Sequence, residues 1–255
     1  MFRCTEREKR ELIALWNQAF GDGEAEIETF FDRFSKTGEV LFDRYEDRVI
    51  SALYLLPQRL WLWGEEYPVA YLYAAATDER HRGGGRMGGL IARAFSFCEE
   101  RGIAACVTLP ASDGLYGYYE RFGFRPCYGQ RLVRPQAGGE LPKKIKRGLS
   151  YRHYCAVLEG AECALVKSRE TFETALSYPG VQALSFEGGY AIFDRGRIVD
   201  AVGAGLDALA ISEKQKSFTT NSRYSGEPVR YGSVKCFGAF PADLTQKLYL
   251  TMMME

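Results

Sequence analysis

The chain has 255 residues, 46% hydrophobic and 14% aromatic, enough for a sizeable core in one large or two small domains. Its 33 Lys and Arg balance 33 Asp and Glu, which argues against nucleic acid or anionic lipid as a partner, and no apolar run is long enough for a membrane span. Seven scattered cysteines without a CxxC pair, and only His81 and His153, argue for reduced thiols in a cytoplasmic protein and against a metal site. The N-terminal stretch MFRCTEREKRE does not read as a signal peptide.

Thr5-Glu6-Arg7-Glu8 has capping-box spacing and predicts the start of a helix. Leu12, Ile13, Trp16 and Phe20 fall on one face of it, and Gly21-Asp22-Gly23 breaks it. A second helix follows, with Ile27, Phe30, Phe31 and Phe34 as its stripe. Residues 40–45 and 48–56 read as strands around a turn at Glu46-Asp47, and Pro57 interrupts the second. Residues 59–63 pair with the run from Tyr67 across Gly64-Glu65-Glu66. Residues 69–77 then form a buried strand, and residues 78–85 a polar, glycine-dense loop. An amphipathic helix starts near Gly85, carries Leu90, Ile91, Ala94, Phe97 and Cys98 inward, and ends at Gly102. Residues 103–109 form a second apolar strand, stopped by Pro110, and a short helix covers about residues 115–121. This order predicts an α/β (α+β) fold with a mixed sheet: an antiparallel front half, then one parallel crossover.

The loop before the long helix is built for an anion. The first amides of a helix lack internal partners, and the macrodipole is positive there. Gly83, Gly84 and Gly85 let a phosphate approach the main chain, while Arg82 and Arg86 add charge and forked donors. A nucleotide-like pyrophosphate is the expected ligand. The string required for a P-loop does not occur. Gly83, Gly85 and Gly88 satisfy GxGxxG, but the polar stretch 78–82 separates them from the strand. The next strand also ends in Leu109-Pro110 without the acidic residue expected on a ribose. The remaining pattern is Arg-x-x-Gly, read as Arg82-Gly83-Gly84-Gly85.

That loop, together with Tyr118-Tyr119-Glu120-Arg121-Phe122-Gly123-Phe124, resembles the acetyl-CoA core of the GNAT N-acetyltransferases over about residues 5–127. Met87, where many members have Gly or Ala, and Ala111-Ser112-Asp113-Gly114 are similar to the enhanced-intracellular-survival (Eis) type subgroup. The resemblance implies a GNAT-like mixed sheet flanked by helices and acetyl-CoA as co-substrate. It implies that the strands on either side of the crossover helix splay apart, with the pantetheine arm along the backbone of Ala75, Ala76 and Thr77. It places the pyrophosphate on Arg82, Gly83, Gly84, Gly85, Arg86, Met87 and Gly88. Ser112 is an adenine-side or pyrophosphate-side contact, or a helix cap.

Residues 131–149 are a composition break with Pro135, Gly138, Gly139, Pro142 and the basic run 143–147, read as a linker between domains at 1–130 and 150–255. In the second domain Ser168 caps a helix with Phe172, Ala175 and Leu176 that Pro179-Gly180 ends. Residues 181–186, 190–193 and 197–202 read as a strand meander, residues 206–211 as helix or strand, and residues 214–228 as loop. Residues 229–237 read as a strand, and Asp243 as the cap of a last helix with Leu244, Leu248 and Met252. By analogy with multi-domain relatives, this smaller α+β half is a candidate degenerate GNAT-like fold.

Acetyl transfer to an amine requires a polarised thioester carbonyl, a deprotonated amine and a proton for the departing thiolate. The resemblance gives the first task to backbone amides near Ala76 and Thr77 and the last to Tyr119, protonated at neutral pH with an ordinary pKa of about 10. The general base is unassigned: Asp78 and Glu79 read rather as solvated loop carboxylates, and Eis-type relatives would point to the terminal carboxylate of Glu255. Trp61, Trp63, Tyr71 and Tyr73 alternate along strands, as a sheet face or an acceptor pocket. The expected activity is direct transfer of acetyl to a primary amine of a small molecule or peptide. The alternative is a non-catalytic acyl-CoA sensor or scaffold of the same fold. Homo-oligomerisation is left open.

Overall fold

The computed structural model describes residues 1–221 and 224–251. In chain order the elements are α1 (Glu6–Phe20), α2 (Glu24–Phe34), β1 (Glu39–Tyr45), β2 (Arg48–Leu62), β3 (Glu65–Thr77), α3 (Arg86–Glu100), β4 (Ala105–Thr108) and α4 (Asp113–Glu120). They continue with β5 (Arg125–Pro126), β6 (Gln130–Val133), β7 (Lys146–Arg147), α5 (Tyr151–Glu159), β8 (Cys163–Lys167), α6 (Arg169–Ser177), β9 (Val181–Phe186), β10 (Gly189–Asp194) and β11 (Arg197–Val202). The last are α7 (Leu206–Ser212), β12 (Phe218–Asn221), β13 (Glu227–Val229), β14 (Ser233–Cys236), α8 (Leu244–Lys247) and β15 (Tyr249–Leu250). Contacts divide the chain into two compact units, each assembled from separate stretches. The first holds Met1–Gln58, Pro68–Phe124 and Val234–Ala239; the second holds Arg59–Tyr67, Arg125–Ser233 and the chain from Phe240.

In the first unit the capping box closes as the sequence requires: Glu8 N–H donates to Thr5 Oγ1 at 3.3 Å, and Thr5 N–H to Glu8 Oε2 at 2.5 Å. Gly21, at φ 79°, ends α1 in the left-handed conformation. Leu12, Ile13, Leu15 and Trp16 are buried, whereas Phe20, expected on that stripe, is 49% exposed. All four apolar residues expected on α2 are buried. β1 and β2 form an antiparallel hairpin through Glu46 and Asp47, both at positive φ, the combination that suits a two-residue turn.

β2 corrects the sequence reading: it does not stop at Pro57 but runs through it to Leu62. Proline's fixed φ is compatible with extended backbone and removes only one donor. Pro57 is exposed while Leu56 and Gln58 are buried, so the side-chain alternation continues. Within this unit the strand order is β1–β2–β3–β4–β14, and β3 and β4 are parallel. Leu53, Leu55, Ala70 and Leu72 of the sheet pack with Leu90, Ile91, Ala94 and Cys98 of α3 and with Phe124.

In the second unit the sheet runs β13–β6–β12–β11–β10–β9–β7. The meander β9–β10–β11 is antiparallel with the expected bounds within one residue. Ser168 caps α6 by accepting Thr171 N–H at 3.2 Å, and residues 206–211 prove helical. Four readings are corrected. The stretch 131–149 contributes strands at both ends, β6 and β7. Residues 214–228 are not all loop, because Thr-rich β12 pairs with β6 and with β11. The strand expected over 229–237 is broken: Val229 ends β13, and only Ser233–Cys236 form β14, with Gly232 at positive φ between them. The last helix is only Leu244–Lys247, and Tyr249 and Leu250 pair as β15 with β8; Met252 lies outside the described residues. Among the described residues no helix is long and apolar enough to cross a membrane.

Candidate active site

The site grows from the way β3 and β4 part. Their ladder joins Val69–Ala105, Ala70–Cys106, Tyr71–Val107 and Leu72–Thr108, and β3 then runs on to Thr77 without a β4 partner. Ala74 sits at φ 45°, a left-handed conformation that costs an L-residue roughly 1–2 kcal/mol and kinks the strand just past the last rung. The end of β3 stays with β2 instead: Ser51 Oγ donates to Ala76 O at 3.2 Å and lies 2.8 Å from Thr77 Oγ1, and Asp78 N–H donates to Ile50 O at 2.8 Å. Ala75, Ala76 and Thr77 therefore lie on the stretch of β3 that extends past the end of β4.

The loop beyond it turns through a short 3₁₀ segment, Glu79–His81, capped by Asp78. Asp78 Oδ1 accepts the Arg80 N–H at 2.9 Å and lies 3.2 Å from His81 Nδ1. The Arg80 amide and the His81 ring hold this carboxyl below the usual carboxylate range, so Asp78 is a turn cap and a poor base. Glu79 is exposed and 3.7 Å from Arg82. Gly83 and Gly85 have φ of 82° and 75°, which a side chain would strain, and no atom lies within 4 Å of where a Cβ would stand on either. Gly85 caps α3, so three consecutive glycines leave bare main chain at the positive end of a 15-residue helix. Gly88 also has a packing role: its Cβ would lie 3.2 Å from the Phe122 ring.

Arg82 is anchored by its own strand, Nε donating to Thr77 O at 3.0 Å. Arg86, on the first turn of α3, lies 3.7 Å from Asp43 and over the Tyr45 ring at 5.6 Å. Met87 packs part-buried against the α3 core cluster. Ser112 stands at the N-cap of α4, but its hydroxyl makes no capping bond; its carbonyl accepts Leu115 N–H at 3.0 Å.

The spacing Tyr119-x-x-x-Gly123-Phe124 has a physical cause. Phe124 N–H donates to Tyr119 O at 3.3 Å and Gly123 N–H to Glu120 O at 2.9 Å, with Gly123 at φ 82°. This is a Schellman motif, and its hydrophobic contact is the Tyr119–Phe124 ring pair at 5.4 Å. The cap thus fixes Tyr119 in place. The tyrosine is 7% exposed, and burial, only partly offset by a hydrogen bond with Thr108, pushes its hydroxyl up to about 12. Thr108 Oγ1 in turn donates to Leu72 O at 3.1 Å. The Tyr119 hydroxyl therefore meets the final rung at which β3 and β4 separate.

The four alternating aromatics divide. Tyr71 and Tyr73 belong to the first unit, where their rings are 5.4 Å apart, while Trp61 packs in a core of the second and Trp63 is exposed at the β2–β3 turn. Sequence reasoning missed Ala74 and Thr108. Nothing in Ala74-Ala75-Ala76 signals a left-handed residue, but Thr108, a hydroxyl closing an apolar strand, was a visible anomaly. The seven cysteines are free thiols, and among the described residues no cluster of side chains could hold a metal. Glu255 lies outside the described residues.

The sequence profile of the acetyltransferase (GNAT) domain matches residues 2–127. No curated protein matches the sequence significantly. Among solved structures, a probable N-acyltransferase from Enterococcus faecalis is 16% identical with a TM-score of 0.71, over 91% of this chain and 71% of its own. A GCN5-related N-acetyltransferase from Anabaena variabilis is 15% identical with a TM-score of 0.71, over 92% and 72%. Eis1 from Mycobacterium abscessus is 11% identical with a TM-score of 0.66, over 92% and 72%. At these identities the likeness is one of fold, and it extends over both units. Residues 2–127 are therefore an acetyltransferase (GNAT) domain.

Proposed function

We propose that the domain of residues 2–127 binds acetyl-CoA and passes its acetyl group directly to a primary amine. The observation that carries this reading is the conjunction at one place of the kinked end of β3, its parting from β4, the bare glycines at the start of α3, and the buried Tyr119 hydroxyl. The pantetheine arm would pair with the backbone of Ala75, Ala76 and Thr77, replacing the ladder partner that β4 does not supply. Arg82, Gly83, Gly84, Gly85, Arg86, Met87 and Gly88 would hold the pyrophosphate, whose charge the helix end and both arginines favour. Ser112, with its hydroxyl free of capping, is the adenine-side or pyrophosphate-side contact. Acetyl-CoA supplies an activated thioester when bound. Backbone amides near Ala76 and Thr77 polarise its carbonyl, and Tyr119 holds a proton where the sulfur departs.

The test is calorimetric titration with acetyl-CoA, with NAD as the control. The expected result is affinity on the order of micromolar for acetyl-CoA alone, followed by amine-dependent release of free thiol. Absence of acetyl-CoA binding overturns the reading. Binding without thiol release across a broad amine panel leaves a CoA-binding protein without transferase activity.

A further inference from the structure

Tyr45, the last residue of β1, is 48% exposed beside the hairpin turn at Glu46-Asp47. One exposed aromatic residue is ordinary on a protein surface; what sets this one apart is its neighbours. Its ring centroid lies 5.2 Å from that of His81, on the loop that precedes α3, and 5.6 Å from the guanidinium of Arg86, the first residue of α3. Both neighbours are held in place. His81 Nδ1 lies 3.2 Å from Asp78 Oδ1. Asp43 lies 3.7 Å from Arg86 and 3.9 Å from Arg93, which also donates to Phe42 O at 3.2 Å and so ties α3 to β1. The bare glycines 83–85 fall between His81 and Arg86 in sequence. The Tyr45 ring therefore flanks, from both of its ends, the loop proposed to hold the pyrophosphate.

An arginine can lie on an aromatic ring and still offer donors to a phosphate, so Arg86 links the ring to the anion site. In a nucleotide one ribose separates the base from its phosphate. A base whose phosphate meets this loop is within that short reach of Tyr45. A purine presents a flat, uncharged face, which stacks on a phenol ring. The charges nearby decide which part of the ligand belongs there. Asp43, Glu46, Asp47, Asp78 and Glu79 are matched by five arginines in the same two stretches, 43–48 and 78–86. With no formal excess of positive charge, these stretches do not call for a second anion beyond the pyrophosphate. We infer that Tyr45, braced by His81 and Arg86, is the stacking platform for the adenine of acetyl-CoA and does not act through its 3′-phosphate. This inference rests on the acetyl-CoA reading above.

The test is calorimetric titration of the intact chain with three probes: acetyl-CoA, acetyl-dephospho-CoA, which lacks the 3′-phosphate, and acetyl-phosphopantetheine, which lacks the whole adenosine but keeps a phosphate for the loop. The wild type is expected to bind acetyl-CoA at least about tenfold more tightly than acetyl-phosphopantetheine, the size of one base stacked on one aromatic ring. Tyr45→Ala narrows that ratio by about tenfold, weakening acetyl-CoA and acetyl-dephospho-CoA by the same factor and leaving acetyl-phosphopantetheine unchanged. Tyr45→Phe keeps the ring and restores wild-type affinity. A ratio as wide in Tyr45→Ala as in the wild type overturns the platform. Equal weakening of all three probes also overturns it, because the ring would then only prop the loop. A loss confined to acetyl-CoA would assign the effect to the 3′-phosphate and overturn the assignment to the base. Each of these outcomes leaves acetyl-CoA binding intact as a reading, whereas failure of the wild type to bind acetyl-CoA overturns both.

Discussion

Tyr119 carries two demands at once. Its ring closes the Schellman contact with Phe124, and its hydroxyl bonds Thr108 at the last rung between β3 and β4. Tyr119→Phe keeps the ring and deletes only the oxygen. The expected result is a fall in kcat of roughly 10²-fold or more, in the range of a lost general acid, with acetyl-CoA affinity essentially unchanged. Equal kcat in the two proteins would remove Tyr119 from the reaction. The raised pKa adds a pH signature. A tyrosine displaced to about 12 stays protonated until well above its ordinary value, so its ionisation causes no loss of rate on the alkaline side up to pH about 10. A fall centred on pH 8 to 9 that disappears in Tyr119→Phe would contradict this. Tyr119 was legible in the sequence because the glycine that caps α4 leaves a fixed spacing. Ala74 was not, since its conformation is imposed by the strands around it.

At the scale of elements, the glycine-capped start of α3 makes the most direct prediction. Gly85 has φ 75° with no neighbour where a Cβ would point, so a side chain there meets backbone strain but no wall. Gly85→Glu places an anion at the opening helix end, against any bound phosphate. The expected result is loss of acetyl-CoA binding by calorimetry, with Tm lowered by only a few degrees. Retained affinity would place the pyrophosphate elsewhere. Elements with a strong local cause were readable: the capping box of α1, the apolar stripes of α2 and α3, the meander of β9 to β11. Those whose cause is a partner far along the chain were not. β2 continues through Pro57 because both flanking residues are buried, and β12 exists because β6 and β11 pair with it. α5 and β8 went unread although Ser150 caps the helix and Tyr154, Cys155 and Leu158 form its buried face.

At the scale of the whole molecule, a one-dimensional reading finds breaks in composition such as residues 131–149. It has no access to the fact that residues 59–67 and 234–239 each pack with stretches far from them in sequence. The same limit hid the most unusual interior group. Lys167 is 1% exposed in the second unit, with Nζ donating to Thr251 Oγ1 at 2.5 Å and lying 5.6 Å from the Tyr154 ring centroid. Asp200, fully buried, accepts bonds from Tyr190 and Tyr249 and is the opposite charge acting on Lys167. Burial lowers the Lys167 pKa from its ordinary 10.5 to about 8, against the pull of Asp200. Between these values the unfolded chain holds a proton that the folded lysine has released, so the stability from this group rises with pH. It is complete above about 10.5 and lost as pH falls through 8, a change of about 3 kcal/mol. Tyr154, Tyr190 and Tyr249, all raised by burial, act in the opposite sense once unfolded tyrosines ionise near pH 10, which closes the usable window there. Lys167→Met keeps the length of the side chain and removes the titration. In urea denaturation from pH 7.5 to 9.5, stability of the wild type relative to this variant should climb with pH. Parallel profiles would mean that Lys167 does not change its protonation on unfolding.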